Sequence, residues 1–501
     1  MSDTKPTQGL LVWIAAIVFI LAPCTIGQAS QVVWPQFRGP GGLGIAMDHK
    51  TYPTELDTSK NLLWKTKVPE GYSSPCIWGD RIFITAHSGT KLETICIDRQ
   101  DGTVKWRRSV APDTMEKISR SNSPASPTPA CDGTRVYVYF GSFGLLAYDL
   151  DGGAVWQKVL PVPDIQHGSA SSPILAEDMV VINCDQKKDP YLLALDRSSG
   201  EQVWRTKRPI TKMPFNWATP VLWKRGETED LVVLGRQRLI AYDPRSGKEL
   251  WRVEGLPMEA APTPVFTEKL IYAAATTAAT GDPVNPIEVP DFQEVLEQYD
   301  SNGDKQLARA EIPDDFALIY RMGTLGPSDL KKVFPKHDAD QDGVLDEKEW
   351  KEVVSQVGMQ QARRKDAFFA AKGGGEGNVT ASHVQWTVNE GVGQVASPLV
   401  YEGRAYLVKH GGNMTCFNAT TGERVYSEKL GHRVYYFASP VAADGKIYVC
   451  SRMGRVFVIQ AGDAFKVLAQ NKMGERINAT PALVDGKVYL RTAKHMMAFG
   501  R

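Results

Sequence analysis

Short apolar runs recur along most of the chain, each set off by turn residues, and the runs fall into a repeating unit. The unit opens with Ser-Pro or Thr-Pro. A β-rich triplet follows: "IFI" after Pro75, "VYV" after Pro129, "VVI" after Pro173, "IYA" after Pro264, "AYL" after Pro398, "IYV" after Pro440 and "VYL" after Pro481. Pro220 opens a further copy with a longer hairpin before "LVVL", which makes eight. Turn signals such as "CDGT", "EGR" and "ADGK" separate the paired strands. A third strand ends in an acid or amide, as in "CIDRQDG", "AYDLDGG" and "CFNATTG". A fourth carries an aromatic: Trp106, Trp156, Trp204, Trp251, Trp386 or Tyr426.

Four short antiparallel strands per unit, at intervals mostly between 41 and 54 residues, predict the blades of a β-propeller. One such unit cannot bury both faces of its sheet, whereas stacking units around an axis does. The expected fold is all-β: an eight-bladed propeller with a small all-α domain inserted in blade five. The eighth unit reaches only "MMAFGR" and has no fourth strand, while "LLWKTKV", with Trp64, precedes the first unit and has the right character. That segment is expected to close the ring by pairing with the last blade. The repeated Trp residues read as packing between blades, since each buries about 150–250 Å².

The inserted segment changes the pattern. Blade five runs from Pro264 to Trp386, far beyond the other units, and the excess lies between "LIYAAATTAATG" and "GGGEGN". These stretches suit flexible linkers. Between them the chain is acidic, Lys-rich and helical in character, with runs such as "FQEVLEQY" and "EKEWKEVVSQVGMQQARRKDAFFAAK". The expected division is 1–29 targeting segment, 31–280 first part of the propeller, 281–374 insertion, and 375–501 second part of the propeller.

Two twelve-residue loops in the insertion carry candidate chemistry. In "DADQDGVLDEKE", Asp338, Asp340 and Asp342 take positions 1, 3 and 5. Val344 offers a carbonyl at 7, Asp346 sits at 9, and Glu349 supplies a bidentate carboxylate at 12. Gly343 at position 6 permits the sharp turn. Calcium takes six to eight oxygens in flexible geometry, and this EF-hand spacing delivers them. In "DSNGDKQLARAE" the set is Asp300, Asn302, Asp304, Gln306 and Glu311. That loop departs at position 6, where Lys305 replaces Gly and must take a left-handed conformation, at a cost of roughly 1 kcal/mol. Ala308 at position 9 adds no side-chain ligand. Weaker binding is expected there than in the second loop, and the two loops are expected to pair as one EF-hand unit.

Composition narrows the function classes. Lys plus Arg is 58 and Asp plus Glu is 57, a balance that gives no reason to expect nucleic acid. Leu10 to Ala22 is uncharged and follows Lys5, and Gly27 and Ala29 offer small residues for cleavage after Ala29. This reads as an export signal, with an uncleaved N-terminal anchor as the alternative and the sole expected membrane contact. Pro23 before Cys24 argues against a lipoprotein box. The other six cysteines form no zinc pattern; buried free thiols are expected, with a disulfide open in an oxidising compartment. Gly39, Gly41 and Gly44 spell GxGxxG, but they follow no clear strand and open no helix, so the dinucleotide reading fails.

The repeats resemble the pyrroloquinoline-quinone-type propeller repeat. "WPQFRGP" at Trp34 to Pro40 looks like the opening motif of an exported bacterial subset, and "GEGNVTASHVQW", "ASPLVYEGRAYLV" and "YYFASPVAADGKIYV" look like its later blades. The resemblance covers residues 34 to about 280 and 375 to 501. It implies the propeller fold, and it does not fix activity. Quinoprotein dehydrogenases of this type hold the quinone in the axial funnel with calcium and an Asp base. Their site residues find no residue-by-residue match here, and many carry an adjacent Cys pair that this sequence lacks.

Polar residues cluster just before the Ser/Thr-Pro motifs, where first strands approach the axis: Arg120, Asn122, His167, Asn216, Trp217, Gln394, Tyr436, Arg476 and Asn478. Converging from several blades, they form a candidate ligand pocket, and Arg120 and Arg476 favour an anion. Two function classes follow. The first is an exported calcium-binding scaffold for a protein or small-molecule partner. The second is an oxidoreductase with pyrroloquinoline quinone as cofactor in the funnel. No catalytic residue is assigned.

Overall fold

The computed structural model describes residues 1–2, 32–210, 216–257, 260–276, 290–313, 316, 329–361 and 366–500. The expected export segment lies outside them, as does the expected linker before the insertion from residue 277 on; its start is no linker, because Ile271–Thr276 is a buried strand of blade five. Eight antiparallel sheets follow one another along residues 32–500 as propeller blades. In blade three, for example, Ile174–Ala176, Met179–Cys184, Tyr191–Asp196 and Gln202–Lys207 pair in chain order. The middle strands are almost wholly buried and the fourth strands alternate, as a sheet covered on both faces except at its outer edge requires.

One hydrogen-bonded ring ties the blades together. The amide of each motif Ser or Thr donates to the hydroxyl of its counterpart in the next blade. The chain of donors runs Ser74 to Thr128 at 2.9 Å, Thr128 to Ser172 at 2.9 Å, Ser172 to Thr219 at 3.0 Å and Thr219 to Thr263 at 3.2 Å. It continues from Thr263 to Ser397, Ser439, Thr480 and back to Ser74, at 3.0 Å each. A hydroxyl is needed as acceptor, and the proline that follows has no N–H of its own to satisfy. This accounts for the Ser/Thr-Pro repeat.

The outer faces are joined by tryptophan. Trp64, Trp106, Trp156 and Trp204 each donate the indole N–H to a turn carbonyl of the following blade, at Arg99, Leu150, Arg197 and Pro244. A glycine lies under each ring. A Cβ at Gly102 would sit 2.6 Å from the Trp64 indole, so no larger residue fits there. The acid that ends the third strand shapes the same turn: Asp98 Oδ1 accepts the Gln100 amide at 2.7 Å, and Asn418 Oδ1 the Thr420 amide at 2.9 Å. Trp251 departs from the pattern and donates within its own blade, to Asp230 at 2.9 Å. The facing turn of blade five is replaced by residues 372–383, whose short helix Thr380–His383 begins after a two-residue strand.

The ring closes as the sequence predicts. Leu62–Lys67 pairs antiparallel with His495–Phe499 and completes blade eight, with Trp64 opposite Ala498. The preceding segment spans one end of the axis. Trp34 pairs with Ile77 of blade one, Arg38 Nη2 donates to Pro398 O of blade six at 2.8 Å, and Ala46 N donates to Ala442 O of blade seven at 3.0 Å. The GxGxxG glycines belong to this strap, where Gly39, Gly41 and Gly44 all have positive φ. All six described cysteines are buried free thiols.

The insertion falls in blade five, between its second strand, Ile271–Thr276, and its third. One boundary needs correction. The run ending "DAFFAAK" reads as helix and assigns 281–374 to the insertion, but Asp366–Ala371 is the third strand, paired with Ile271–Thr276 and Val384–Val388. Alanine favours helix in isolation, yet all six residues are buried between two strands, and tertiary packing overrides propensity. The insertion therefore spans 277–365. Its helices are α1 (Phe292–Tyr299), α2 (Asp329–His337) and α3 (Glu347–Gln361). They share a separate core of Phe292, Val295, Leu307, Phe334, Leu345 and Trp350.

Ser172 is 2% exposed. Ser172→Ala leaves the Thr128 amide buried without an acceptor, and should cost about 1–3 kcal/mol of stability. Guanidinium denaturation giving the native midpoint would remove the ring from its structural role.

Candidate functional site

The two acidic loops of the insertion are matched position by position. Leu307 pairs with Leu345 and Ala308 with Val344 in a two-stranded ribbon between them. The first residue of each loop accepts from the sixth: Asp300 Oδ2 from Lys305 N at 3.0 Å, and Asp338 Oδ2 from Gly343 N at 3.1 Å. The twelfth accepts from the second: Glu311 from Ser301 N at 2.9 Å, and Glu349 from Ala339 N at 2.7 Å. It also reaches the ninth, at 3.0 Å in the first loop and 3.1 Å in the second. The hydrogen bonds from Ser301 hold the Glu311 carboxyl below its ordinary value.

The sixth positions differ as the sequence suggests. Gly343 has φ 87° and Lys305 φ 63°, so the lysine takes the left-handed conformation that glycine adopts freely. In the second loop, ligand oxygens of Asp338, Asp340 and Asp342 lie within 4.8 Å of one another. Asp338 Oδ1 is buried and has no hydrogen-bond donor among the described residues. An all-oxygen donor set with one uncommitted buried oxygen fits a hard divalent cation. Asn302, Asp304 and Gln306 take the corresponding places in the first loop, where Asp304 Oδ1 accepts the Gln306 amide at 2.8 Å. In the second, Asp342 Oδ1 accepts the Val344 amide at 3.0 Å, and Asp346 caps helix α3 by accepting Glu349 N at 2.8 Å.

At the propeller axis, on the side away from the N-terminal strap, a cavity of about 980 Å³ opens. Arg120, Asn122 and Arg476 of the predicted pocket line it. Arg120 and Arg476 are exposed, and their guanidinium groups make no hydrogen bond or ion pair among the described residues. The sequence reading missed His87 and Arg452, which stand on the same wall, and Pro313 of the insertion, which borders it. His87 and Arg452 sit beside the hairpins joining second and third strands. Those hairpins point to the same end as the residues before Ser/Thr-Pro, and this is the signal that would have found them.

The other predicted pocket residues do not converge there. His167 lies against Trp217, with ring centroids 5.7 Å apart and planes tilted by 34°, and the Trp217 indole donates to Gly168 O at 3.0 Å. Asn216 joins a buried ionic cluster in which Asp185 accepts from Arg208 Nε at 2.9 Å and Arg236 Nε at 3.0 Å. Burial alone would raise the Asp185 carboxyl, but the Arg208 and Arg236 charges outweigh it and hold the group below its ordinary value. Tyr436 donates to His432 O at 2.9 Å and is fully buried. Gln394 is buried and Asn478 partly buried, and neither lines the axial cavity.

A second cavity, of about 430 Å³, separates helix α1 from blades six and seven. Tyr299 bridges it, its hydroxyl donating to Arg433 O at 3.1 Å, and Lys429 pairs with Glu294. His432 and Arg455 line the propeller side. Burial, with the Arg455 charge nearby, pushes the His432 imidazole down to about 4. As pH falls below about 6.5 the unfolded chain takes up a proton that the buried His432 still refuses, which favours unfolding. Stability linked to His432 is therefore complete above about pH 6.5 and falls toward about pH 4. His432→Gln should flatten that decline in melting temperature, and an unchanged acid limb would show the group to be uninvolved.

The family model described as outer membrane protein assembly factor BamB matches residues 53–188, 188–285 and 370–499. Among solved structures, BamB from Moraxella catarrhalis is similar over 87% of this chain and 98% of its own, at 12% identity and a TM-score of 0.50. A computationally designed protein, Ika8, is similar over 88% of this chain and 99% of its own, at 9% identity and a TM-score of 0.51. A quinohemoprotein alcohol dehydrogenase from Pseudomonas putida HK5 overlaps 93% of this chain and 80% of its own, at 12% identity and a TM-score of 0.49. At these identities the likeness speaks for fold alone. A comparison with curated proteins finds no match.

Proposed function

The chain belongs to the family described as outer membrane protein assembly factor BamB, and from that premise we propose that it is an exported calcium-binding propeller that serves as an interaction scaffold. The insertion is an EF-hand pair. Asp338, Asp340, Asp342, the Val344 carbonyl and Glu349 hold the stronger calcium, with Asp346 at position 9. Asp300, Asn302, Asp304, the Gln306 carbonyl and Glu311 hold the weaker one. The observation that carries this reading is the position-by-position match of the two loops, together with the uncommitted Asp338 oxygen. When bound, calcium supplies the charge that lets these carboxylates share one small volume. The family's description as an assembly factor supports a protein partner, and Arg120 and Arg476 at the axial cavity support an anionic group on a ligand. The N-terminal apolar segment supports export. Among the described residues no helix is long and apolar enough to cross a membrane.

Glu349→Gln removes half of a bidentate ligand and should lose most of the tighter calcium affinity. Calorimetry with calcium chloride checks it, and unchanged binding would sink the assignment.

Replacing residues 277–365 with a short Gly-Ser linker should leave the β-rich circular-dichroism spectrum intact, because blade five keeps all four strands. Calcium should then no longer raise the melting temperature, since ligand stabilisation needs a site in the native state. A calcium-dependent shift that survives excision would place the metal in the propeller funnel instead.

A further inference from the structure

We propose that the cleft between helix α1 and blades six and seven binds a small anion bearing a carboxylate or phosphate group, gripped by the Arg455 guanidinium. The cleft exists only because the insertion stands over the propeller. One wall is α1, through Val295, Gln298 and Tyr299, and the other comes from the axial loops of blades six and seven. Its volume of about 430 Å³ lies in the range of small-molecule sites.

Arg455 points to a ligand because it is partly buried in this cleft. It opens the third strand of blade seven. At the same place in blade four stands Arg238, whose cross-strand neighbour is Glu254, and the two form an ion pair at 3.3 Å. In blade eight the place is held by His495, which meets Glu475 at 2.6 Å. Opposite Arg455 stands Lys472, another cation. The partly buried Arg455 guanidinium makes no hydrogen bond and no ion pair among the described residues. Two acids of the α1 wall line the cleft: Glu294 is committed to Lys429, and Glu297 makes no ion pair with Arg455.

A guanidinium presents five N–H donors in a planar fork that matches a carboxylate or phosphate edge. Partial burial lowers the local dielectric and strengthens that attraction. His432 stays neutral at pH 7, so it offers the same ligand a hydrogen bond rather than a second charge. Its Nδ1 is already within 3.2 Å of Ser451 Oγ, which leaves Nε2 for the cleft. Lys409 adds to the positive rim.

Isothermal titration at low salt, with succinate and with inorganic phosphate as probes, tests the site on the full chain. One equivalent of at least one probe should bind with millimolar affinity or better. Arg455→Ala should weaken binding by about tenfold or more, and Arg455→Lys, which keeps the charge but loses the fork, should fall between. Arg238→Ala should bind as the native chain does. Circular-dichroism melts of each variant separate lost binding from lost folding. Excision of residues 277–365 removes the α1 wall and should abolish binding. Native affinity in Arg455→Ala, binding by the excised chain, or no heat from either probe at about 10 mM would each overturn the proposal. The succinate titrations are run both without calcium and with saturating calcium, and binding in either state supports the site, so the outcome does not depend on the EF-hand reading.

Discussion

The molecule hangs on a ring of eight N–H···O bonds around the axis, one per blade, each from the amide of a Ser or Thr to the hydroxyl of the next. The same residue donates through its backbone and accepts through its side chain, so the ring has a direction. It also fixes how far each blade stands along the axis. With the inner edges held, the outer edges need only the tryptophan that rests on the neighbouring turn. Both contacts are local to a pair of blades, as in other repeat architectures.

The ring also divides the axis into two unlike ends. Residues following the Ser/Thr-Pro motif meet the N-terminal strap, which crosses from blade one to blade seven and fills that end with Trp34, Arg38 and the left-handed glycines. Residues preceding the motif face the other end, together with the hairpins between second and third strands. There the side chains are charged and the surface is open. Arg120, Arg452 and Arg476 gather at that mouth, and the insertion grows from a hairpin on the same side.

The insertion has its own apolar core, and among the described residues it meets the propeller chiefly through α1 and Pro313. Tyr299 immediately precedes the first acidic loop and is tied to Arg433; Pro313 closely follows that loop and borders the axial cavity. Both ends of the loop thus stand against the propeller, and whatever orders the loop also sets the position of α1. Among the described residues this contact is polar and borders both cavities, the kind of junction at which a ligand is held between two bodies.

The repeat was legible because each of its residues answers a local need: a hydroxyl to accept, a proline after it, an acid to shape a turn, a tryptophan to cover one. Closure by Leu62–Lys67 followed from counting strands. The matched shape of the two acidic loops was legible because twelve consecutive residues carry their own geometry. Tertiary structure alone decided three things. It made Asp366–Ala371 a strand, because burial between two neighbours overrides the helical preference of alanine. It brought Arg120 and Arg476 together while sending Asn216 to Asp185 and Tyr436 to His432, because position before a motif sets the end of the axis but not which way a side chain turns. It left Arg455 opposite Lys472 and without an ion pair among the described residues, because the partner of a strand residue lies on another strand, and no pattern along one segment reveals it.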